Sequence, residues 1–122
     1  MPANRRLLLV DDDPLNTQTL VDIFTHHHYE LDTANSGAEA LEKAREMRYG
    51  LVLSDIKMEG MNGVELLLAL KKIQPATPVI LMTAYTDDEL ILQGIREGAL
   101  IALAKPLDIE RLLAHIANIL RG

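Results

Sequence analysis

Polar side chains that can bind a metal ion or a phosphate group stand at the ends of four short apolar runs in this sequence. The runs are Leu7 to Val10, Leu51 to Leu53, Val79 to Met82 and Leu100 to Ala104. The residues that close them are Asp11, Asp12 and Asp13 for the first run, then Asp55, Thr83 and Lys105.

Carboxylates that lie close together repel each other, and a pair about 4 Å apart costs on the order of 4 kcal/mol at an effective dielectric constant near 20. A hard cation with oxygen ligands, such as Mg²⁺, offsets this repulsion and keeps water positions that a phosphate can take. Lys105 adds a movable positive charge, and the Thr83 hydroxyl adds a donor. Such a set suits an aspartyl-phosphate site, because phosphoryl transfer needs mainly positioning and charge neutralisation.

The apolar runs predict strands that are buried on both faces, as parallel strands are when helices cover the sheet. Glu30 to Ala34 is a weaker strand candidate, and helical patterns separate the runs. Strand and helix therefore alternate five times, which predicts one α/β domain, residues 1–122, with a doubly wound parallel sheet and right-handed crossovers. In such a sheet the ligand site lies at the carboxyl ends of the strands, where all the polar residues above would meet.

Helix-start signals follow the strands at the expected places. Asp13 before Pro14 predicts an N-cap, and the Ser36 to Glu39, Asn62 to Glu65 and Thr86 to Glu89 segments predict three further helix starts. The last helix is predicted from the apolar spacing between Ile109 and Leu120.

Composition excludes several function classes. The 122 residues carry a net charge of -6 and 3% aromatic residues, which argues against direct nucleic-acid binding. The absence of cysteine excludes disulfides, thiolate catalysis and Cys-ligated metals. The first apolar run is too short for a signal peptide or a membrane span, so we expect a soluble, cytoplasmic protein without membrane contact.

The motifs resemble those of the response-regulator receiver domain of two-component signalling, the CheY-like superfamily. They are Val10 to Pro14, Ser54-Asp55 with Met58 and Gly60 to Gly63, Met82-Thr83-Ala84, Gly98-Ala99, and Lys105-Pro106. Their order and spacing cover almost the whole chain. The resemblance implies a flavodoxin-like (βα)5 fold with strand order 2-1-3-4-5, acting in signalling and not as an enzyme beyond accepting and hydrolysing its own phosphoryl group.

The resemblance also implies roles for individual residues. Asp55 is the expected acceptor of a phosphoryl group from a sensor histidine kinase or a phosphotransfer protein. Asp11, Asp12, Asp55 and the Lys57 carbonyl are the expected ligands of Mg²⁺ or Mn²⁺. Thr83 is the expected switch hydroxyl, Ala84 leaves access to the site, Lys105 pairs with the phosphate, and Pro106 is expected after a cis peptide bond. Tyr85 either shields the phosphoryl group from water or lies on the surface.

Three positions depart from the family pattern. Glu59 stands where a proline is usual, Ala102 replaces the usual aromatic switch residue, and Ile101 replaces an acidic residue. The last strand is therefore uncharged although it is expected at the sheet edge, where a partner normally covers such a strand. We expect the helix from Asp87, this strand and the last helix to form a face for a homodimer or an effector.

Other interpretations stay open at this point. Asp11 could be the nucleophile of a haloacid-dehalogenase-like phosphatase, or the chain could be a receiver-like module that no longer signals. Asp11 and Asp12 could merely stabilise the start of the following helix through their negative charge. Thr83 could merely satisfy hydrogen bonds at the end of its strand, and the charge of Lys105 could merely be solvated. The chain is either a stand-alone receiver or the N-terminal part of a longer regulator. Among His26, His27 and His28, we expect His27 to pack inward and none to bind metal.

Overall fold

The fold is described from a computed structural model, which covers residues 5–84 and 88–121, apart from the side chain of Asp88. Five strands and five helices alternate along the chain. The strands are β1 (Leu7–Val10), β2 (Leu31–Ala34), β3 (Leu51–Asp55), β4 (Val79–Thr83) and β5 (Ile101–Ala104). The helices are α1 (Pro14–His26), α2 (Gly37–Glu46), α3 (Gly63–Ile73), α4 (Asp88–Arg96) and α5 (Ile109–Leu120).

The strands form a single parallel sheet in the order β2-β1-β3-β4-β5. This confirms the predicted α/β class and the strand order that the resemblance implied. Asp55 pairs with Met82, and Thr83 pairs with Ala104, so the last residues of β3, β4 and β5 lie side by side. The polar residues that follow these strands therefore share one edge of the sheet.

Alternate residues of the central strands pack into two apolar layers. Leu8 and Val10 join one layer with residues of α2 and α3, whereas Leu7 and Leu9 join the other with residues of α1 and α5. All four residues of β1 are buried, which is why this strand reads as an uninterrupted apolar run. The helices cover both faces of the sheet and leave its edge strands β2 and β5 at the sides.

The helix starts follow the predicted caps wherever those residues are described. The Asp13 side chain accepts from the Leu15 N–H, with Pro14 in the first turn of α1. Ser36 caps α2, and Asn62 with Glu65 forms a capping box that begins α3. Thr86 and Asp87, predicted at the start of α4, lie outside the described residues.

Two local expectations need correction. His27 is exposed, not packed inward, because α1 ends at His26 and His27 is its C-cap. β5 begins at Ile101, not at Leu100, which is half exposed. None of the helices in residues 5–84 and 88–121 has the length and apolar composition that a membrane span requires.

Candidate functional site

Asp55 ends the central strand β3 and is nearly buried, with 9% of its surface exposed. The chain then turns back sharply, and the Gly63 N–H donates to the Ile56 carbonyl over 2.7 Å. A Cβ at Gly63 would clash with the Asp55 carbonyl oxygen, so only glycine fits where α3 begins. This close approach fixes the loop between β3 and α3 around the Asp55 carboxylate.

Three carboxylates meet at this edge. Asp11, Asp12 and Asp55 each place one oxygen so that all three oxygens lie within 4.8 Å of one another. Asp11 has no exposed surface, whereas Asp12 is exposed. Asp13 lies apart from this cluster, because its side chain caps α1, although its N–H donates to Asp11 Oδ1 over 2.9 Å.

Lys105 reaches into the cluster from the loop after β5. Its Nζ lies 3.0 Å from Asp55 Oδ1 and 3.5 Å from Asp11 Oδ2. The Lys105 N–H donates to the Thr83 carbonyl over 2.7 Å, which holds the backbone of Lys105 beside the end of β4. The peptide bond between Lys105 and Pro106 is cis. The lysine thus links the ends of β1, β3 and β4.

Charge and burial shift the pKa values of Asp55 and Lys105. Burial, followed by the charge of Asp11, raises the pKa of Asp55 to about 6, although the hydrogen bond and charge of Lys105 oppose this shift. Burial works to lower the pKa of Lys105, but the hydrogen bond to Asp55 and the charges of Asp55 and Asp11 outweigh it and raise that pKa above its ordinary value. One ammonium group therefore does not neutralise the carboxylates fully.

The donor set fits a hard divalent cation such as Mg²⁺ or Mn²⁺. All three candidate ligands are carboxylate oxygens, and their mutual repulsion favours a second positive charge beside Lys105. Lys57, whose carbonyl the resemblance adds as a ligand, lies two residues after Asp55 in the same loop and is exposed. The residues that would hold the ion are therefore Asp11, Asp12 and Asp55, with the Lys57 carbonyl as the expected addition.

The remaining residues that were predicted for the site differ in their location and exposure. Thr83 ends β4 with 5% of its surface exposed, and Ala84 after it is exposed. Glu59 is exposed in the loop after β3, and its N–H faces Asp12. Ala102 lies on β5, half buried against the apolar layer of α2 and α3. Tyr85 lies outside the described residues.

Asn16 also belongs to the site, although no role was predicted for it from the sequence. Its side-chain amide donates to Asp11 Oδ2, the oxygen that also faces Lys105. Asn16 lies in the first turn of α1, which begins directly after the Asp13 cap. A polar residue three positions after a helix cap was the available signal, since that position turns back towards the preceding strand.

The family model described as "Response regulator receiver domain" matches residues 7–117. The chain belongs to this family. As a receiver domain it is a signalling domain of two-component systems, and receiver domains typically bind Mg²⁺ at an acidic pocket.

Named relatives agree with this assignment. The receiver domain is 39% identical over 117 residues to the transcriptional regulatory protein ZraR of Escherichia coli (strain K12), covering 96% of this chain and 26% of ZraR. It thus spans about a quarter of that relative. A CheY-like receiver domain from Methanospirillum hungatei JF-1 superposes with a TM-score of 0.92 at 31% identity, covering 98% of this chain and 95% of the other. The beryllofluoride-activated NtrC4 receiver domain dimer superposes with a TM-score of 0.89 at 30% identity, covering 96% and 97%.

Proposed function

We propose that Asp55 accepts a phosphoryl group from the phosphohistidine of a sensor histidine kinase or a phosphotransfer protein in the cytoplasm. The observation that carries this proposal is the Asp55 carboxylate, which contacts Lys105 and has one oxygen within 4.8 Å of an oxygen of Asp11 and of Asp12. This arrangement supplies the positive charge and the metal ligands that phosphoryl transfer requires.

In the proposed step, a carboxylate oxygen of Asp55 forms a bond to phosphorus as the phosphorus–nitrogen bond of phosphohistidine breaks. The imidazole nitrogen keeps the bonding pair and takes up a proton. Asp11, Asp12, Asp55 and the Lys57 carbonyl would hold a Mg²⁺ ion, whose charge offsets that of the carboxylates and the phosphoryl oxygens. Hydrolysis of the aspartyl phosphate returns the domain to its resting state.

Lys105 and Thr83 are proposed to bind the new phosphoryl oxygens. Lys105 Nζ already contacts both Asp55 oxygens, at 3.0 and 3.1 Å, so it needs little movement to reach a phosphoryl oxygen. Thr83 stands at the end of the neighbouring strand and would donate its hydroxyl proton to that group. Exposed Ala84 leaves room for the donor to approach, and Tyr85 remains a candidate shield against water.

Asp55 suits the role of acceptor better than Asp11, the nucleophile of the phosphatase alternative. Asp11 has no exposed surface and accepts hydrogen bonds from Asp13 and Asn16 on its two oxygens. Asp55 keeps some exposure, and Lys105 lies against its carboxylate. A phosphodonor would therefore have to displace more contacts to reach Asp11.

The signal is proposed to leave through the face of α4, β5 and α5. Leu92, Ile95 and Leu100 on this face are 53%, 45% and 50% exposed, and β5 is an edge strand. The NtrC4 neighbour is an activated receiver dimer, which supports a homodimer or an effector as the occupant of this face. Because Ala102 has no ring, the change at Thr83 would have to reach the face without an aromatic relay.

We also propose that residues 1–122 form one receiver unit that controls either a partner or an output domain of a longer chain. The test of the proposed function is phosphorylation by acetyl phosphate with Mg²⁺, followed by peptide mapping. Label on Asp55 that forms with Mg²⁺ and does not form when EDTA is present supports the proposal. Label on Asp11 favours the phosphatase, and absence of label together with absence of Mg²⁺ binding by calorimetry favours a module that no longer signals.

A further inference from the structure

A backbone hydrogen bond joins the two loops that carry the acidic cluster. The Glu59 N–H donates to Asp12 Oδ2 over 3.4 Å, across 47 positions of the sequence. Glu59 and Asp12 are both exposed, so no packing against an apolar layer holds the Asp12 carboxylate in place. The orientation of this carboxylate therefore depends on the few polar contacts that it makes.

Asp12 has an electrostatic reason to turn away from the site. Its carboxylate shares a cluster with those of Asp11 and Asp55, with one oxygen of each within 4.8 Å of the others. An exposed side chain relieves this repulsion by rotating towards solvent. A donor fixed in the facing loop opposes that rotation and still leaves lone pairs of the carboxylate available.

The residue type at position 59 makes this donor possible. Any residue except proline offers a backbone N–H, and proline is the usual residue at this position in the family pattern. Glu59 therefore brings two separate features to the loop, a carboxylate and a hydrogen-bond donor. The donor is the feature that contacts Asp12.

We infer that the Glu59 N–H is a positioning group, which holds Asp12 turned towards Asp11 and Asp55 so that the three carboxylates bind a divalent ion with less rearrangement. This inference rests on the proposed function, since it concerns the ion of that same site. The Glu59 side chain is not required for the effect, because the contact comes from the backbone.

Two substitutions separate the donor from the carboxylate. Glu59→Ala removes the side-chain charge and keeps the N–H, whereas Glu59→Pro removes both. Calorimetric titration with MgCl₂ should give a Kd for Glu59→Pro that is about two- to fivefold higher than for Glu59→Ala, the range expected for a weak exposed hydrogen bond. Equal Kd values, or tighter binding by Glu59→Pro, would overturn the inference.

Hydrogen exchange tests the contact without metal and without a proline. In EDTA, the Glu59 amide should exchange about two- to fivefold faster in Asp12→Ala than in Asp12→Asn, because both variants lose the charge but only the asparagine keeps an acceptor oxygen. The Gly63 amide, which donates to the Ile56 carbonyl, is the internal control and should not change. Equal exchange of the Glu59 amide in the two variants would contradict the inference.

The inference and the proposed function can be refuted independently of each other. If the parent binds Mg²⁺ but takes no label at Asp55, the proposed function fails and the Glu59→Ala and Glu59→Pro titrations still decide the role of the donor. In a labelling assay, Glu59→Pro should be slower than Glu59→Ala at low Mg²⁺ and equal to it at saturating Mg²⁺. A deficit that persists at saturation would contradict a role in positioning the metal ligand.

Discussion

At the scale of single residues, Asp55 combines two opposing requirements. As the proposed phosphoacceptor it must be reachable by a phosphodonor, yet it is nearly buried beside Asp11, and this raises its pKa to about 6. A carboxylate that ionises with difficulty gains from any added positive charge. The raised pKa of Asp55 should therefore be visible in the pH dependence of the stability of the metal-free protein.

The first prediction concerns the pH dependence of stability in EDTA. Between about pH 4 and pH 6 the folded state holds the Asp55 proton that the unfolded state has already released, so the unfolding free energy of the parent falls as pH rises through this window. Asp55→Asn lacks this loss. Urea unfolding should therefore show the variant gaining about 1–2 kcal/mol over the parent from pH 4 to pH 6, after allowance for solvent screening. Asp22→Asn, an exposed position on α1, is the control, and a constant difference for Asp55→Asn would contradict the account.

The second prediction concerns Asn16. Asn16→Leu removes the amide that donates to the fully buried Asp11 carboxylate. The unfolding free energy at pH 7 should fall by about 1–3 kcal/mol, because a buried charged acceptor loses a partner. Gln18→Leu on the exposed side of the same helix removes a surface amide and serves as the matched control. Equal losses of unfolding free energy for the two substitutions in urea would contradict a stabilising contribution of the Asn16–Asp11 hydrogen bond.

At the scale of elements, the end of the sheet opposite the acidic cluster is held by Gln74. Its side-chain amide donates to the carbonyls of Ala44 and Met47, both over 2.7 Å, and its oxygen accepts from the Tyr49 N–H over 3.0 Å. Gln74 is also the C-cap of α3. One buried side chain thus fastens the end of α2 to the end of α3.

The third prediction follows from this contact. Gln74→Leu keeps a similar volume but leaves three buried or half-buried backbone groups without their partner, so the unfolding free energy should fall by about 2–4 kcal/mol. Gln93→Leu, at an exposed position of α4, is the control. Denaturant unfolding measures both, and a loss under about 1 kcal/mol for Gln74→Leu would contradict the proposed role.

The elements were largely predictable because each main strand is an uninterrupted apolar run that ends at a polar residue. Parallel topology then brings Asp11, Asp55 and Lys105 to one edge. The position of Asn16, three residues after the Asp13 cap, was visible in the sequence, but its contact with Asp11 was not, because that contact depends on the direction of the first turn of α1. The sequence shows that Glu59 replaces the usual proline and so offers an N–H, but it does not show that this N–H contacts Asp12, since every residue except proline carries the same donor. His27 was predicted wrongly because the helical pattern does not mark the residue at which α1 stops.

At the scale of the whole molecule, the proposed phosphorylation site and the proposed output face lie on neighbouring parts of the sheet. The acidic cluster occupies the carboxyl ends of β1 and β3, and the exposed apolar residues lie on α4 and next to the edge strand β5. Thr83 at the end of β4 stands between them in the sheet order. If Asp55 is phosphorylated as proposed, the change at Asp55 therefore has only Thr83 and one strand to pass before it reaches the α4 and β5 side.

The fourth prediction tests this output face. With beryllofluoride and Mg²⁺, sedimentation velocity of the parent should show association that the untreated protein lacks. Ile95→Lys should remain monomeric and still take label, because it changes the face and leaves the acidic cluster intact. Leu68→Lys, at an exposed apolar position of α3, is the control. A parent that stays monomeric in both states at high concentration, with no effector bound through this face, would contradict the proposal.

The most direct measurement of the central claim is the transfer of phosphoryl label to Asp55→Asn. The parent and Asp13→Asn, whose altered residue caps α1 and does not join the cluster, should take label from acetyl phosphate in the presence of Mg²⁺. Asp55→Asn should take none, because the amide lacks the nucleophilic carboxylate oxygen. If Asp55→Asn takes label as readily as the parent, the phosphoryl group goes elsewhere and the account is wrong.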